Sequence, residues 1–313
     1  MLSCAGIEYV INPLGRKLRE DELAELIGDF DALIAGTEKI SKKVFDRAKK
    51  LKIISRVGIG LDGLDLLEAE RRKIKISYTP DAPAPAVAEL TVGLILSLLR
   101  SIHLANTQMH EGGWTRYFGR RISEVTIGII GYGRIGKGVL NCLSGFSGHA
   151  GLNVLVNDIN PINYHSSGGL NLVCASKEEI YAKSDVITLH VPLTSMTLNM
   201  IGRSQLLKMK PDAVLINTSR GGIVNEHDLA EVLLSGHLTG AAIDVFEHEP
   251  YEGPLSKIDN CLLTAHMGSM SVDCRARMEI EATGEVIRFF SGQPLQSVVP
   301  GFEFDFAREK ING

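Results

Sequence analysis

No apolar run in this sequence reaches membrane-spanning length. The longest, Val87 to Leu99, carries Glu89 and falls short of the roughly 20 residues a spanning helix needs. No basic stretch followed by an apolar one stands near Met1, so no secretion signal is read there. The five cysteines (Cys4, Cys142, Cys174, Cys261 and Cys274) are odd in number and never in C-x-x-C spacing. That argues against a disulfide framework or a zinc site, and for reduced thiols in a cytoplasmic protein. Positive charge is not in excess either. The formal charge of −4 lacks the basic footprint of a nucleic-acid binder. Internal repeats and low-complexity tracts are missing too. What remains, at 44% hydrophobic and 22% charged residues, can bury ordinary cores. The length of 313 residues suggests about two domains.

What is present is alternation. Ile7–Ile11, Ala32–Ala35, Lys52–Val57 and Ile74–Tyr78 read as strands. Helices are predicted over Glu20–Ile27, from an N-cap at Ser41 to Leu51, and over Leu64–Arg72. Pro80, Pro83 and Pro85 then break the chain ahead of a long helix predicted over 86–109. That helix is apolar on nearly every face, so it is buried on more than one side. A core helix between domains and a subunit interface fit this equally. Further strands are predicted over Asp185–Val191, Ala213–Asn217, Gly240–Val245 and Leu262–Thr264, with helices over Glu226–Leu234 and Met270–Phe290. A Pro-containing tail follows, and Gly145–Gly151 reads as a surface loop. Such alternation predicts α/β architecture with parallel sheets.

The stretch Val125–Asp158 organises the rest. A β-branched strand, Thr126–Ile130, leads into Gly131-Tyr132-Gly133-Arg134-Ile135-Gly136, then a helical pattern, then the apolar run Val154–Val156 ending on Asn157-Asp158. Strand, G-x-G-x-x-G, helix, strand, acid is the dinucleotide-binding fingerprint in its proper context. Gly131 allows the tight turn, Gly133 lets the backbone approach a pyrophosphate, and Gly136 lets helix and strand pack closely. The helix N-terminus offers N–H groups to the phosphates. Asp158 suits the hydroxyls of the adenosine ribose and repels the extra phosphate of NADP. The expected cofactor is NAD.

Ligands of open α/β sheets bind beyond the carboxyl ends of strands. Four polar groups stand there: His190, Arg220, Asp244 with Glu249 just beyond it, and His266. The guanidinium of Arg220 suits bidentate clamping of a carboxylate. The imidazole of His266 is a natural acid/base, and Glu249 would hold it in one tautomer. Position alone leaves these roles open, because the chain has nine histidines and Glu247 lies two residues from Glu249.

Several motifs resemble the D-isomer-specific 2-hydroxyacid dehydrogenase family, most of all its phosphoglycerate dehydrogenase branch. They are Ser55-Arg56-Val57-Gly58-Ile59-Gly60-Leu61-Asp62, Val87-Ala88-Glu89-Leu90, Gly113-Trp114, the fingerprint, His190-Val191-Pro192-Leu193-Thr194, Asn217-Thr218-Ser219-Arg220-Gly221-Gly222, Ile243–Pro250 and Thr264–Gly268. The resemblance runs from about Leu2 to Pro300. It implies two doubly wound parallel-sheet domains joined by long helices. One is a Rossmann-type NAD domain, expected over 94–285, and the other a flavodoxin-like substrate domain from 1–93 and 286–313. By resemblance, Arg220 clamps the substrate carboxylate, and His266 is the acid/base with Glu249 as its orienting partner. Asp244 would face the nicotinamide carboxamide. Gly131, Gly133, Arg134, Ile135, Gly136, Asp158, His190 and Thr218 complete the expected cofactor contacts. Backbone N–H groups of Val57, Gly58 and Ile59 would hold the carboxylate of a small 2-hydroxy or 2-oxo acid, with Arg56 able to reach a phosphate. No metal is expected. Domain closure would exclude water, and a homodimer through helix 86–109 is implied.

Departures from the family pattern are informative. A further strand and half a helix usually precede what is Leu2 here, so either the first domain is short or the start lies upstream. The usual Asp is Asn225, and Asp81-Ala82-Pro83-Ala84-Pro85 replaces a more polar loop. The chain ends soon after Pro300, so the regulatory domains of longer phosphoglycerate enzymes, and serine feedback through them, are not expected. A glyoxylate or hydroxypyruvate reductase is the alternative on the same scaffold. Formate dehydrogenases resemble a pattern with Gln at position 249 and rank low. An NAD-sensing corepressor is the alternative outside enzymes.

Overall fold

The computed structural model describes residues 1–147, 151–162 and 169–312. Two compact units form, one from Met1–Pro83 and Met270–Gly313, the other from Ala84–Ser269. The expected boundaries, after residues 93 and 285, fall inside two long helices. Each of those helices instead stays whole and joins the sheet its apolar face covers, which moves the boundaries to the loops at 83 and 269.

The smaller unit is built on a parallel three-stranded sheet, β1 (Ala32–Ala35), β2 (Ile53–Arg56) and β3 (Lys75–Ser77), in the order β1-β2-β3. Ser41 caps helix Lys42–Arg47, its Oγ accepting from Lys43 N–H at 3.1 Å. Helix Val272–Phe290 buries Met278, Ala282 and Val286 and packs on β1 and β2. The Ser55 hydroxyl donates to the Ala282 carbonyl at 2.8 Å. The expected strand Ile7–Ile11 does not form, and Tyr9, Val10 and Ile11 are exposed. A β-prone run becomes a strand only where a sheet edge pairs with it, and among the described residues β1–β3 pair with one another and, at Ser77, with Val298, not with this run. The tail after Phe290 is more ordered than expected: Val299 enters the core and a helix runs from Gly301 to Asn312.

The larger unit carries seven parallel strands: β4 (Thr126–Ile130), β5 (Leu152–Asn157), β6 (Leu170–Cys174), β7 (Val186–Leu189), β8 (Val214–Asn217), β9 (Gly240–Ile243) and β10 (Cys261–Leu263). Their order is β10-β9-β8-β7-β4-β5-β6. The central strands β7, β8 and β9 are buried at every residue, as a parallel sheet covered on both faces requires. The order reverses between β4 and β7. A Rossmann-type sheet binds its ligand at that reversal.

The helix predicted over 86–109 is two helices, Ala84–Leu99 and Ile102–His110, bent by 66°. Ser101 sits between them with φ +49°, a left-handed conformation that ends the first helix. Val87, Val92, Ile95 and Leu98 of the first helix are buried in its own unit, against helix Arg134–Ser144 and strands β8 and β9. The second helix buries no residue. Among the described residues no single helix is long and apolar enough to cross a membrane. Residues 148–150 of the expected loop Gly145–Gly151 lie outside the described residues.

Candidate active site

At the reversal point, β4 ends in Gly131 with φ +97°. A Cβ there would stand 2.2 Å from the His190 carbonyl oxygen, and one at Gly136 would stand 2.1 Å from the Gly131 oxygen. Both positions are closed to any side chain. Gly133 differs, since a Cβ on it meets nothing within 4 Å. It opens on space at the start of helix Arg134–Ser144, where first-turn N–H groups have no intrahelical partner. A backbone cradle beside a helix N-terminus fits the pyrophosphate of a dinucleotide. Exposed Arg134 and half-buried Ile135 form that first turn. Asp158, just past β5, accepts from the Tyr132 N–H at 2.6 Å and, through its other oxygen, from the Asn160 N–H at 2.8 Å. The acid is therefore fixed against the fingerprint.

His190 follows β7. One ring nitrogen lies 2.9 Å from the Thr188 hydroxyl, and Nδ1 is buried. Burial pushes its pKa down to about 3, so its ring is neutral and is no proton carrier near pH 7. The Thr218 hydroxyl is buried 2.9 Å from that of Thr91.

Three adjacent strands, β8, β9 and β10, bring the remaining groups together at their carboxyl ends. After β8, Asn217 knits the Arg220 loop. Its Oδ1 accepts from the Ser219 N–H and hydroxyl, and its Nδ2 donates to the Arg220 carbonyl. The Arg220 guanidinium donates to the Ser219 carbonyl at 2.6 Å. Behind it, Gly221 packs so closely on the loop after β9 that a Cβ would stand 2.0 Å from the Phe246 backbone.

After β9, buried Asp244 holds the loop after β10. Its carboxylate accepts from the Thr264 hydroxyl at 2.6 Å and from the N–H groups of Met267 and Gly268 at 2.8 and 3.0 Å. Its carbonyl accepts from the His266 N–H at 2.8 Å. His266 itself adopts φ +48°, a left-handed conformation that costs a non-glycine residue roughly 1–2 kcal/mol. The Asp244 contacts on either side keep it there.

The His266 Nδ1 lies 3.0 Å from both oxygens of Glu249. A carboxylate only accepts, so Nδ1 carries the hydrogen and Nε2 is left as the basic nitrogen. Position had left Glu247 and Glu249 as alternatives, and Glu249 is the one that meets the imidazole. Thr264, unassigned in the sequence, acts through Asp244. Its place two residues before His266 was the available signal. Asn225 explains its own departure, because its Oδ1 caps helix Glu226–Leu234 by accepting from Asp228 N–H at 3.0 Å, which an Asp would do equally well.

In the smaller unit the loop after β2 carries the other expected residues. Arg56 is buried, and its Nε donates to the Gly60 carbonyl at 2.8 Å. The Val57 N–H donates to the Ala35 carbonyl and the Gly58 N–H to the Thr79 hydroxyl. Of the expected backbone donors, Val57 and Gly58 are thus committed within the unit, and Ile59 is left. Among the described residues no cluster of three or more His, Cys, Asp or Glu side chains could hold a metal ion.

Residues 92–268 match the model of the D-isomer specific 2-hydroxyacid dehydrogenase NAD-binding domain. A glyoxylate reductase of Thermofilum pendens is 38% identical over 282 residues, covering 87% of this chain and 82% of that one. A D-3-phosphoglycerate dehydrogenase of Methanocaldococcus jannaschii is 36% identical over 288 residues, 90% of this chain. Here the chain spans about half of its relative, 54%. Among solved structures, an NAD-dependent formate dehydrogenase from Staphylococcus aureus in complex with NAD superposes with a TM-score of 0.81 at 30% identity, over 96% of this chain and 90% of that one.

Proposed function

The chain belongs to the D-isomer-specific 2-hydroxyacid dehydrogenase family of NAD-binding oxidoreductases, and from that premise we propose that it interconverts a short D-2-hydroxy acid and its 2-oxo acid with His266 as acid/base. The observation that carries the reading is the His266–Glu249 pair at 3.0 Å, beside the Arg220 loop on neighbouring strand ends. NAD, when bound, supplies the hydride acceptor in one direction and the donor in the other. The protein's own residues do the rest. Nε2 of His266 takes the hydroxyl proton in oxidation and returns it in reduction. Glu249 keeps Nδ1 protonated and faces the positive charge that forms on the ring. Arg220 offers a planar pair of N–H donors to the substrate carboxylate.

For the substrate, two observations favour a small unphosphorylated acid such as glyoxylate or hydroxypyruvate over 3-phosphoglycerate, which the sequence resemblance put first. Arg56, the expected phosphate contact, is buried and engaged by its own loop. The glyoxylate reductase relative is 38% identical to this chain, against 36% for the phosphoglycerate dehydrogenase. The phosphorylated acid stays as the second reading on the 36% identity to that dehydrogenase. NADH oxidation with glyoxylate, hydroxypyruvate, pyruvate and 3-phosphohydroxypyruvate, compared as kcat/KM, tests both. A preference for 3-phosphohydroxypyruvate reverses the order, and turnover of none sinks the proposal.

We also propose a homodimer. Its surface is helix Ile102–His110 and the segment after it, where Ile102, Met109, Trp114 and Phe118 are exposed, while Ala84–Leu99 serves as a core helix.

A further inference from the structure

We propose that Glu226 is a positioning residue for the acid/base pair, acting as the anchor of the loop that presents Glu249 to His266. The proposal rests on the reading of His266 and Glu249 above. Residues Glu247 to Pro250 are exposed; the Phe246 N–H donates to Glu249 Oε1 at 3.2 Å, which places the carboxylate only as well as the loop backbone itself is held. The loop is tied to the Glu226 side chain just ahead of Glu249. On one side of Glu249, the Glu247 N–H donates to Glu226 Oε1 at 2.9 Å. On the other side, Tyr251 is an electrostatic neighbour of the Glu226 carboxyl.

The far end of the loop is held separately, by Tyr251. The ring of Tyr251 stacks on that of buried Phe246, with centroids 4.1 Å apart and planes at 21°. Its oxygen also accepts from the Leu255 N–H at 3.1 Å. Glu226 opens helix Glu226–Leu234, whose Leu229, Val232 and Leu233 are buried. That helix does not need Glu226 for its own N-terminus, because Asn225 already caps it. The Glu226 side chain is instead half-buried against the loop, and burial pushes its carboxyl above the ordinary range. Keeping a carboxylate in such a place costs stability, and its hydrogen bond from the Glu247 N–H is the visible return.

The test is a mutant cycle in the full chain, using whichever of the four acids turns over fastest. Glu226→Ala is expected to lower kcat on the order of tenfold, since small misplacements of catalytic groups are costly, and to leave NADH affinity unchanged. Glu226→Gln keeps an oxygen for the Glu247 N–H and should restore kcat to within about twofold. In a Glu249→Gln background, Glu226→Ala should remove less than about twofold further, because the two act as one unit. Glu226→Asp, which pulls the carboxylate back by one methylene from the Glu247 N–H, should behave like Glu226→Ala in the same cycle and serves if that variant does not fold. Full multiplicative effects with Glu249→Gln, or a loss confined to NADH affinity, overturn the inference alone. A silent Glu249→Gln, or no turnover of any of the four acids, overturns the acid/base reading and the inference with it.

Discussion

Gly221→Ala isolates the packing that holds the candidate site together. Gly221 adopts an ordinary backbone conformation, so alanine brings no φ penalty and its only new feature is one methyl group. That methyl would lie 2.0 Å from the carbonyl carbon and oxygen of Phe246 and 2.5 Å from the Glu247 nitrogen, where ordinary contact begins at 3.4 Å. The neighbours are backbone atoms and cannot rotate away. Either the Arg220 loop or the Phe246–Glu249 segment must therefore retreat by about 1.4 Å. The first carries the proposed carboxylate clamp and the second the partner of His266. A misplacement of about 1 Å can cost roughly 10²-fold in rate, or about 2.7 kcal/mol of barrier. Overpacking of this kind costs about 1–3 kcal/mol of stability, which leaves a folded protein. The assay is kcat for NADH oxidation, with NADH affinity by fluorescence and folding by circular dichroism measured alongside. A folded Gly221→Ala variant that keeps kcat within twofold of the parent would refute the idea that this contact sets the geometry.

Three further outcomes are expected elsewhere. Burial pushes the Asp185 carboxyl up, but Lys210, the Thr126 N–H and Arg120 outweigh it and hold it below its ordinary value. Asp185→Ala should thus cost about 1–3 kcal/mol in urea unfolding; an unchanged midpoint would show the cluster to be inert. The folded pKa of His190 lies below its unfolded one, so below about pH 6.5 the unfolded chain binds a proton that the folded chain refuses until about pH 3. Stability should fall by about 2 kcal/mol from this residue alone between pH 6.5 and 5, and a His190→Gln variant should show a shallower fall over the same window. Replacing Trp114 and Phe118, exposed at 81% and 104%, with lysine should halve the sedimenting mass while NADH still binds; an unchanged mass would remove them from the proposed dimer surface.

What was legible in the sequence follows chain proximity. The fingerprint could be read because Gly131 to Gly136 and Asp158 lie within one strand–helix–strand unit, so spacing alone carries the geometry. His266, Arg220 and Asp244 could be found because strand ends are recognisable and a parallel sheet collects them on one side. Tertiary contacts were not legible. The seat of Gly221 on Phe246, the hold of Glu226 on Glu247, and the grip of Asp244 on Thr264 all join segments that follow different elements. Periodicity carried the helix through Ser101 because an apolar pattern does not record a single left-handed residue. Ile7–Ile11 has the composition of a strand, but a strand also needs a neighbour, and β propensity says nothing about that. Strand β6 is harder to read for another reason: it lies half-exposed at the sheet edge, and its apolar run, Leu172–Ala175, is short.

The central claim is that His266 moves the substrate proton, and single-turnover oxidation of bound NADH in the His266→Ala variant tests it most directly. The acid chosen is the one the parent protein turns over fastest. Loss of a general acid costs about 10²–10⁴-fold, so the account predicts a fall of that size in the rate with NADH affinity unchanged. A variant that oxidises NADH within a few-fold of the parent rate would contradict it, and the proton would then have to come from another group.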